Sequence, residues 1–450
     1  MFCLEVSIMN QQEYSKKLRL ITKNLREIYY MTGREEDKTV PDEPNQLTAK
    51  QGLGNFPAFY LEGHHCEKSD CGSCTNCFYS QYYSDKPTHE QIEKQCDYVL
   101  DHFEELVLRE QYGINQFPDD KKQYKDAKPI FMTFSPTGSF FSNKEFPKDI
   151  RLHFLKQLVA KSEELQRDIV LHIEAHAKDV TKEKEYIASS EESELLRKLH
   201  AKCILGFESS DEWSRNVLFN KYLSLDKFEK AVRILQDASI DVGAFTFSGL
   251  MTHTDREAKQ DMVNSVKYLK ELNVFPVLMF ANMQSWTCPD VLNFAGNHKL
   301  QEPFTVLDTV YDCLDVLTER GTVEPGYYLI PEPVDGPPYP EKNIFFGRDD
   351  LTDVTSVDGI VSHQILSDFR NDRDIQKFRN DWDNFRKNNP NYAQYLQRMS
   401  QQERDKLPLE ERLENAIEVI KSNLKEYVED RIQKDKREKE DVYKGHVYSE

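Results

Sequence analysis

Short apolar segments alternate with helical patterns over most of the chain, and this alternation limits the possible folds more than any other feature. The segments are rich in β-branched and aromatic side chains and lie at 56–61, 129–134, 168–173, 202–207, 240–247 and 274–281. The helical patterns between them lie at roughly 88–110, 148–165, 181–200, 225–238 and 256–271. This order predicts an α/β fold of βαβ units around a parallel sheet. Because parallel crossovers are right-handed, six units can curl into an open (β/α)6 partial TIM barrel, with its chemistry at the carboxyl ends of the strands.

The regions on either side of this alternation are also helical in pattern. Residues 10–33 form a basic amphipathic pattern, whereas residues 34–52 are polar, contain two prolines and predict a loop. Residues 409–440 place apolar side chains at helical spacing and end in a charged run. We therefore predict an N-terminal helical extension and loop at 1–51, a core barrel at 52–322, a Pro/Gly-rich wrap or linker at 323–360 and a charged C-terminal helical region at 361–450.

The composition limits which cellular compartment and which binding partners we expect. A net charge of −19 disfavours nucleic acid as a partner, because phosphate contacts need a basic surface. No apolar run approaches the roughly 18 residues of a membrane span, and residues 1–10 lack the basic start of a signal peptide. Nine cysteines are too few for a disulfide scaffold in a chain of 450 residues. We therefore expect a cytoplasmic protein in which clustered cysteines bind metal.

Four cysteines, Cys66, Cys71, Cys74 and Cys77, crowd into the loop that follows the first predicted strand. Thiolates at this density repel one another and oxidise readily, so the run predicts a metal ion or a cluster that neutralises them. Because the loop follows a strand of the predicted barrel, we expect it at the carboxyl ends of the strands, where barrel enzymes have their active sites.

Three kinds of metal site are compatible with these cysteines. A structural zinc site normally takes its ligands from two separated pairs, whereas these four cysteines share one short loop. A ferredoxin-type cluster matches Cys71-x2-Cys74-x2-Cys77, but position 81 is glutamine, and only Cys288, which precedes a proline, could supply a distant fourth ligand. The third kind is a cluster held by three cysteines, with one iron left open for a substrate or cofactor.

A three-cysteine loop at the mouth of a six-unit βα barrel resembles the radical S-adenosylmethionine (SAM) superfamily. The spacing Cys66-x7-Cys74-x2-Cys77 is similar to that of the branch with the archaeosine synthase radical SAM enzyme (RaSEA) and, more loosely, the catalytic subunit of Elongator. Further segments resemble this branch in its order: TFSPTGSFF at 133–141 with EFP at 145–147, HIEAH at 172–176, LGFESS at 205–210 with NK at 220–221, and FANMQSWT at 280–287. The chain departs from the branch with an additional cysteine, Cys71, and with His176 where arginine is usual.

The resemblance implies the cofactors and their ligands. Cys66, Cys74 and Cys77 would hold a [4Fe-4S] cluster, whose open iron would chelate the amino and carboxylate groups of SAM. Reductive cleavage of SAM would give a 5′-deoxyadenosyl radical that abstracts hydrogen from a substrate. The implied cofactor-binding residues are Gly138, Ser139, Glu174, Glu208, Asn282 and Gln284. His172, inside a predicted strand, is interpreted as a core residue, whereas His176 lies at the active end.

The same reasoning limits the substrate and the partners. Given the charge of −19 and the lack of a second cysteine cluster after the barrel, we expect a small polar or nucleoside-like substrate and an electron donor such as flavodoxin or ferredoxin. Two alternatives stay open. One is a non-enzymatic iron–sulfur electron-transfer protein, which would leave SAM intact. The other is a tRNA-modifying radical SAM enzyme, which would bind tRNA despite the acidic composition.

Overall fold

The computed structural model gives, over the residues that it describes, a seven-stranded sheet with helices between and around the strands. It describes residues 2–32, 40–51, 54–61, 87–108, 129–136, 138–182, 190–281, 286–318, 357–372 and 374–447. The strands are β1 (Asn45–Gln51), β2 (Gly54–Leu61), β3 (Ile130–Pro136), β4 (Ile169–Ala175), β5 (Lys202–Glu208), β6 (Asp241–Ser248) and β7 (Phe275–Phe280).

The helices fall into an N-terminal helix, a set that connects the strands and a C-terminal group. They are α1 (Phe2–Thr32), α2 (His89–Asp101), α3 (Lys148–Leu165), α4 (Ala177–Lys182), α5 (Glu191–Lys198), α6 (Leu225–Asp237), α7 (Asp255–Glu271), α8 (Cys288–Phe294), α9 (Pro303–Thr318), α10 (Val357–Asp372), α11 (Ile375–Asn388), α12 (Pro390–Asp405) and α13 (Leu409–Val447). Two π-helical turns, Glu104–Leu108 and Ser214–Leu218, follow α2 and β5.

The six strands β2 to β7 run parallel and lie side by side in chain order. β1 pairs antiparallel with β2, and in the described part of the chain β1 and β7 are the two edges of an open sheet. This arrangement confirms the predicted α/β class and the open parallel sheet. The parallel strands all end at one side of the sheet, here called the carboxyl edge, at Leu61, Pro136, Ala175, Glu208, Ser248 and Phe280.

One part of the sequence-based prediction is wrong. The predicted loop at 34–52 contains strand β1, because residues 45–51 form a hairpin with β2 in a register that runs from Asn45 opposite Tyr60 to Gln51 opposite Gly54. The segment NQLTAKQ alternates polar and apolar residues only over 46–50, with Leu47 and Ala49 as its apolar members, so the pattern is too short and too weakly apolar to predict a strand. Its strand conformation comes from main-chain pairing with β2, which a polar edge strand can make as well as an apolar one.

Side-chain hydroxyls mark where several of the connecting helices begin. Thr88 before α2 forms a capping box with Gln91, and Thr254 before α7 forms one with Glu257. Ser224 accepts a hydrogen bond from a backbone N–H in the first turn of α6. These contacts satisfy N–H groups that have no partner inside the helix. The helix starts therefore follow from local sequence.

The two faces of the sheet are covered by different helices. Successive residues of a strand point to opposite faces, and β7 contributes Val277 and Met279 to one apolar cluster but Leu278 and Phe280 to another. The first of these clusters contains side chains of α1, α8 and α13, and the second contains those of α7 and α9 to α12. The largest cluster joins β2 to β6 with α2 to α6. The terminal helices are therefore part of the core, and none of the described helices is long and apolar enough to cross a membrane.

Candidate active site at the carboxyl edge of the sheet

Four of the predicted cofactor-binding residues lie at the carboxyl edge. Gly138 and Ser139 follow β3, Glu174 is the penultimate residue of β4, and Glu208 ends β5. The chain also leaves β2 at this edge, at Leu61, shortly before the cysteine run. The other predicted site residues, which are Cys66, Cys74, Cys77, Asn282 and Gln284, and the additional Cys71, lie outside the described residues.

Glu174 connects the ends of three neighbouring strands. Its Oε1 atom accepts a hydrogen bond of 2.8 Å from the hydroxyl of Tyr60, the penultimate residue of β2. Its backbone N–H donates to Ser135 Oγ in β3 over 3.3 Å, and its carbonyl accepts from the N–H of Phe140 over 2.8 Å. The half-buried carboxylate is therefore held in place at the edge. Since an ionised carboxylate only accepts hydrogen bonds, it suits ammonium or hydroxyl groups of a ligand.

The turn after β3 is built around Glu145. A Cβ atom on Gly138 would lie 2.5 Å from Glu145 Oε1, and the N–H of Ser139 donates to Glu145 Oε2 over 2.5 Å. Glycine at 138 therefore makes room for a buried carboxylate that satisfies the next backbone amide. The Ser139 side chain is completely buried, and its Oγ accepts from the N–H of His176 over 3.1 Å. The roles of both residues in binding SAM stay predictions.

His176, which stands where the resembling branch has arginine, faces an acidic residue. Its Nδ1 lies 3.5 Å from Asp179 Oδ2, and both side chains are buried. Burial alone raises the pKa of Asp179, but the nearby polar groups of His176 and Ser139 outweigh it and hold the pKa below its ordinary value. Asp179 is therefore charged at neutral pH and lies beside the imidazole next to the end of β4.

Glu208 forms an ion pair with Lys221 at the end of β5. The Lys221 Nζ atom lies 2.5 Å from Glu208 Oε1, and 10% and 8% of the two side chains are exposed. The backbone of Glu208 is left-handed, with φ 73°, at an irregularity in the pairing of β5 with β6. A Cβ on Gly206 would lie 2.6 Å from Lys221 Nζ, so the lysine crosses β5 where a side chain is missing.

Sequence reasoning missed three functional contacts at this edge. It assigned no role to Tyr60, and it quoted Glu145 and Lys221 only as parts of longer matching segments. The signals were weak: Tyr60 closely precedes the cysteine run, and Glu145 and Lys221 are charged residues near motifs that end predicted strands. Their partners are set by the pairing of strands and cannot be deduced from spacing.

His172 is buried inside β4, in agreement with its interpretation as a core residue. Burial, together with the nearby positive charge of Lys202, lowers the pKa of His172 to about 3. The imidazole is therefore neutral at physiological pH.

Cys96, Cys203, Cys288 and Cys313 are separate buried thiols. Burial raises the pKa of Cys203 and of Cys313, and Cys288, considered above as a distant ligand, has its Sγ 3.5 Å from Thr22 Oγ1. Among the residues that the structure describes, no three His, Cys, Asp or Glu side chains form a group that could hold a metal ion. The predicted cysteine ligands are not among those residues.

The two terminal helices pack over the carboxyl edge of β5 to β7. On α13, the hydroxyl of Tyr427 accepts from the N–H of Trp286 over 2.6 Å and donates to Asp290 Oδ2 over 2.5 Å. Arg431, also on α13, donates to Asp290 Oδ1 over 2.6 Å. On α1, Ser15 hydrogen-bonds to Asn220, in the segment after β5. The segments that follow β5 and β7 are therefore bound to the two terminal helices.

Comparison with known proteins gives distant similarities. No family model matches the chain. Over 260 residues, or 56% of this chain, it is 23% identical to the uncharacterized protein MJ0550 of Methanocaldococcus jannaschii, and it covers 64% of that protein, less than two thirds of its length.

Parts of the chain are also similar to solved structures. One is the radical SAM methyltransferase TsrM from Kitasatospora setae with cobalamin and a [4Fe-4S] cluster, at a TM-score of 0.32 and 11% identity, covering 56% of this chain and 42% of TsrM. TsrM has also been solved with its tryptophan substrate and the SAM analogue aza-SAM. Another is Methanocaldococcus infernus Elp3 with an N-terminal deletion, at a TM-score of 0.30 and 15% identity, covering 41% of this chain and 44% of that chain. At these levels the similarities do not assign the chain to a family.

Proposed function

We propose that this chain is a radical SAM enzyme that acts on a small polar or nucleoside-like substrate in the cytoplasm. Cys66, Cys74 and Cys77 would hold a [4Fe-4S] cluster, and an electron donor such as flavodoxin or ferredoxin would reduce it. When bound, the cluster and SAM supply a 5′-deoxyadenosyl radical that abstracts hydrogen from the substrate.

The observation that carries this proposal is the contact between the ends of β2 and β4. Tyr60, shortly before the cysteine run, donates to Glu174, for which the resemblance implies a role in binding SAM. The carboxylate is therefore held against the strand from which the cysteine loop departs. A ligand that binds the loop and the carboxylate at the same time needs this proximity, because catalysis depends on holding reacting groups in one geometry.

The polar groups of the described edge fit the chemistry of SAM. SAM carries an amino group, a cationic sulfonium and ribose hydroxyls, and the carboxylate of Glu174 can accept hydrogen bonds from the N–H groups of the amine or from the hydroxyls. Glu208 adds a second carboxylate, whose charge is balanced by Lys221 at 2.5 Å. Gly138 and Ser139 would support the ligand through the rigid turn that Glu145 holds together.

The substrate class is proposed from charge. A chain with a net charge of −19 repels polyphosphate, so a small molecule suits it better than tRNA. Binding of tRNA near micromolar affinity at physiological salt would contradict this choice and favour a tRNA-modifying enzyme.

The proposal is tested by SAM cleavage. The protein is reconstituted anaerobically with iron and sulfide and incubated with SAM and dithionite, and 5′-deoxyadenosine is measured by mass spectrometry. We expect the product from the native chain and its loss, together with loss of iron, in Cys74→Ala and Cys77→Ala. Cys96→Ala, which removes a buried thiol in α2, is the control and should keep both.

The outcomes separate the alternatives. A preparation that binds zinc and no iron would indicate a structural metal site. A preparation that holds a [4Fe-4S] cluster but leaves SAM intact, also with candidate substrates present, would indicate an electron-transfer protein. Retention of iron and of SAM cleavage in Cys74→Ala would contradict the assigned ligands, and Cys71→Ala would then show whether Cys71 replaces one of them.

A further inference from the structure

Asn220 and Lys221 are neighbours in sequence but bind to different parts of the molecule. Lys221 pairs with Glu208 at the end of β5. Asn220 turns to α1, where its Oδ1 accepts a hydrogen bond from Ser15 Oγ and its Nδ2 donates to the Ser15 carbonyl over 3.3 Å. Ser15 and Asn220 are both buried, with 4% and 2% of their surfaces exposed. The N-terminal helix is thereby connected to the residue next to the lysine of the site.

The backbone around Lys221 has a conformation that needs support from outside the segment. Asn220 has a φ of 55° and Tyr222 a φ of 50°, both in the left-handed region. Asparagine tolerates this region better than other residues with a Cβ atom, whereas a bulky residue such as tyrosine rarely adopts it. The Tyr222 hydroxyl lies 3.1 Å from Ser15 Oγ, so this one hydroxyl contacts both left-handed residues. Lys221 stands between these two residues, and its own N–H donates to the carbonyl of Arg215 over 3.0 Å.

The position of Lys221 in turn decides where the Glu208 carboxylate lies. The lysine passes over Gly206, where a Cβ would be 2.6 Å from Nζ, so its path across β5 is narrow. Glu208 itself has a left-handed backbone, and its ion pair with Lys221 is one of the contacts that orient its side chain. A shift of the Asn220 backbone would therefore move the ammonium group away from the carboxylate and weaken this ion pair.

We propose that α1 is a positioning element of the active site, and that Ser15 is the residue through which it acts. Ser15 holds the left-handed backbone at Asn220 and Tyr222, this backbone places Lys221, and Lys221 orients Glu208 toward the ligand. The inference rests on the proposed function, in which Glu208 contacts SAM.

The test compares two buried hydroxyls of α1. Ser15→Ala removes the contact to Asn220, whereas Thr22→Val removes a hydroxyl that faces Cys288 instead. In the full chain without cofactors, we expect faster hydrogen exchange of residues 214–224 in Ser15→Ala than in the native chain, and no change there in Thr22→Val.

In the reconstituted protein, Ser15→Ala should raise the dissociation constant of SAM about tenfold, the effect of losing one well-oriented polar contact. Ser15→Thr, which keeps the hydroxyl, should restore the affinity, and iron content should not change.

The outcomes distinguish this inference from the proposed function. If the native chain does not bind SAM, the proposed function fails, while the exchange experiment still tests the link from Ser15 to Lys221. If the native chain binds SAM and Ser15→Ala binds it equally well, or if Thr22→Val weakens binding as much, the role of Ser15 is refuted. Should Ser15→Ala not fold, Ser15→Cys, nearly the same size but a weak hydrogen-bond donor, carries the same expectations.

Discussion

Gly138 is the residue whose missing side chain most directly shapes the candidate site. A Cβ at this position would lie 2.5 Å from Glu145 Oε1, and Glu145 accepts from the N–H of Ser139. We expect Gly138→Ala to lower the free energy of unfolding by about 1–3 kcal/mol, the usual cost of inserting a methyl group into a packed site. Urea denaturation measures this change.

A double mutant identifies the cause of that loss. If the added methyl group acts by displacing the Glu145 carboxylate, then Gly138→Ala should cost much less in a chain that already carries Glu145→Ala. Additive losses in the double mutant would show that the two residues act independently and that the turn depends on Gly138 for another reason.

His172 should make stability depend on pH in one direction. Its pKa is lowered from 6.5 to about 3 by burial and by the charge of Lys202, so between these values the unfolded chain binds a proton that the folded chain does not. The contribution of His172 to stability is present above pH 6.5 and is lost as the pH falls toward 3, by about 1.4 kcal/mol per pH unit.

The measurement is the free energy of unfolding between pH 4 and pH 7. We expect His172→Gln to have a flatter pH dependence than the native chain. His200→Gln is the control, because the His200 side chain is 56% exposed and lies near the start of β5. Equal slopes in the native chain and in His172→Gln would show that folding does not lower the pKa of His172.

At the scale of elements, the turn after β3 is held by a buried ion pair between α3 and α5. The guanidinium of Arg151 donates to the carbonyls of Phe140 and Phe146, over 3.2 and 2.6 Å, and to Glu192 Oε2 over 3.2 Å. The side chains of Arg151 and Glu192 are 0% and 1% exposed. Helix packing on the outer side of the sheet thereby determines the shape of the loop that carries Ser139.

Two adjacent glutamates of α5 provide a matched test of this arrangement. Glu192→Gln leaves the buried charge of Arg151 without its counterion, and we expect it to cost about 3–5 kcal/mol. Glu191→Gln removes the partner of Lys156, a pair at 2.8 Å with side chains 50% and 58% exposed, and should cost at most about 1 kcal/mol. Thermal or urea denaturation compares the two variants, and similar losses would contradict a special role for Arg151.

At the scale of the whole molecule, helices from both ends of the chain contact the segments that follow β5 and β7. Tyr427 on α13 accepts from Trp286 and donates to Asp290, whereas Tyr14 on α1 donates to Glu414 on α13 over 2.6 Å. The residues that follow β5 and β7 are therefore bound to helices from opposite ends of the sequence.

Removing single hydroxyls tests how strongly α13 holds the segment that follows β7. Tyr427→Phe removes a hydroxyl that accepts from the N–H of Trp286 and donates to the buried Asp290, and we expect a loss of about 1–3 kcal/mol together with faster hydrogen exchange of residues 286–294. Tyr14→Phe removes a bond to Glu414, which solvent can replace at an exposed carboxylate, and should cost less than about 1 kcal/mol. Unchanged exchange in Tyr427→Phe would show that α13 does not hold this segment.

The sequence by itself determined the elements that depend on local patterns. Six parallel strands, most connecting helices and the helical character of both ends followed from periodicity, because the spacing of apolar residues reflects which face of an element is buried. The resemblance singled out Gly138, Ser139, Glu174 and Glu208, and the structure has them at or next to the ends of their strands, while their roles in binding stay predictions. Strand β1 was missed because main-chain pairing, and not side-chain pattern, makes it a strand.

Only the tertiary structure decided which distant groups meet at the site. Tyr60 bonds to Glu174, 114 positions away, and Ser15 bonds to Asn220, 205 positions away. Such contacts depend on strand order, on the register of each pair and on the helices that pack across the edge. A local pattern contains none of this information, because the same alternation of strands and helices is compatible with many choices of partner for each polar side chain. The sequence therefore determined the elements and the ends where chemistry can occur, and the packing of the folded chain decided which side chains are joined there.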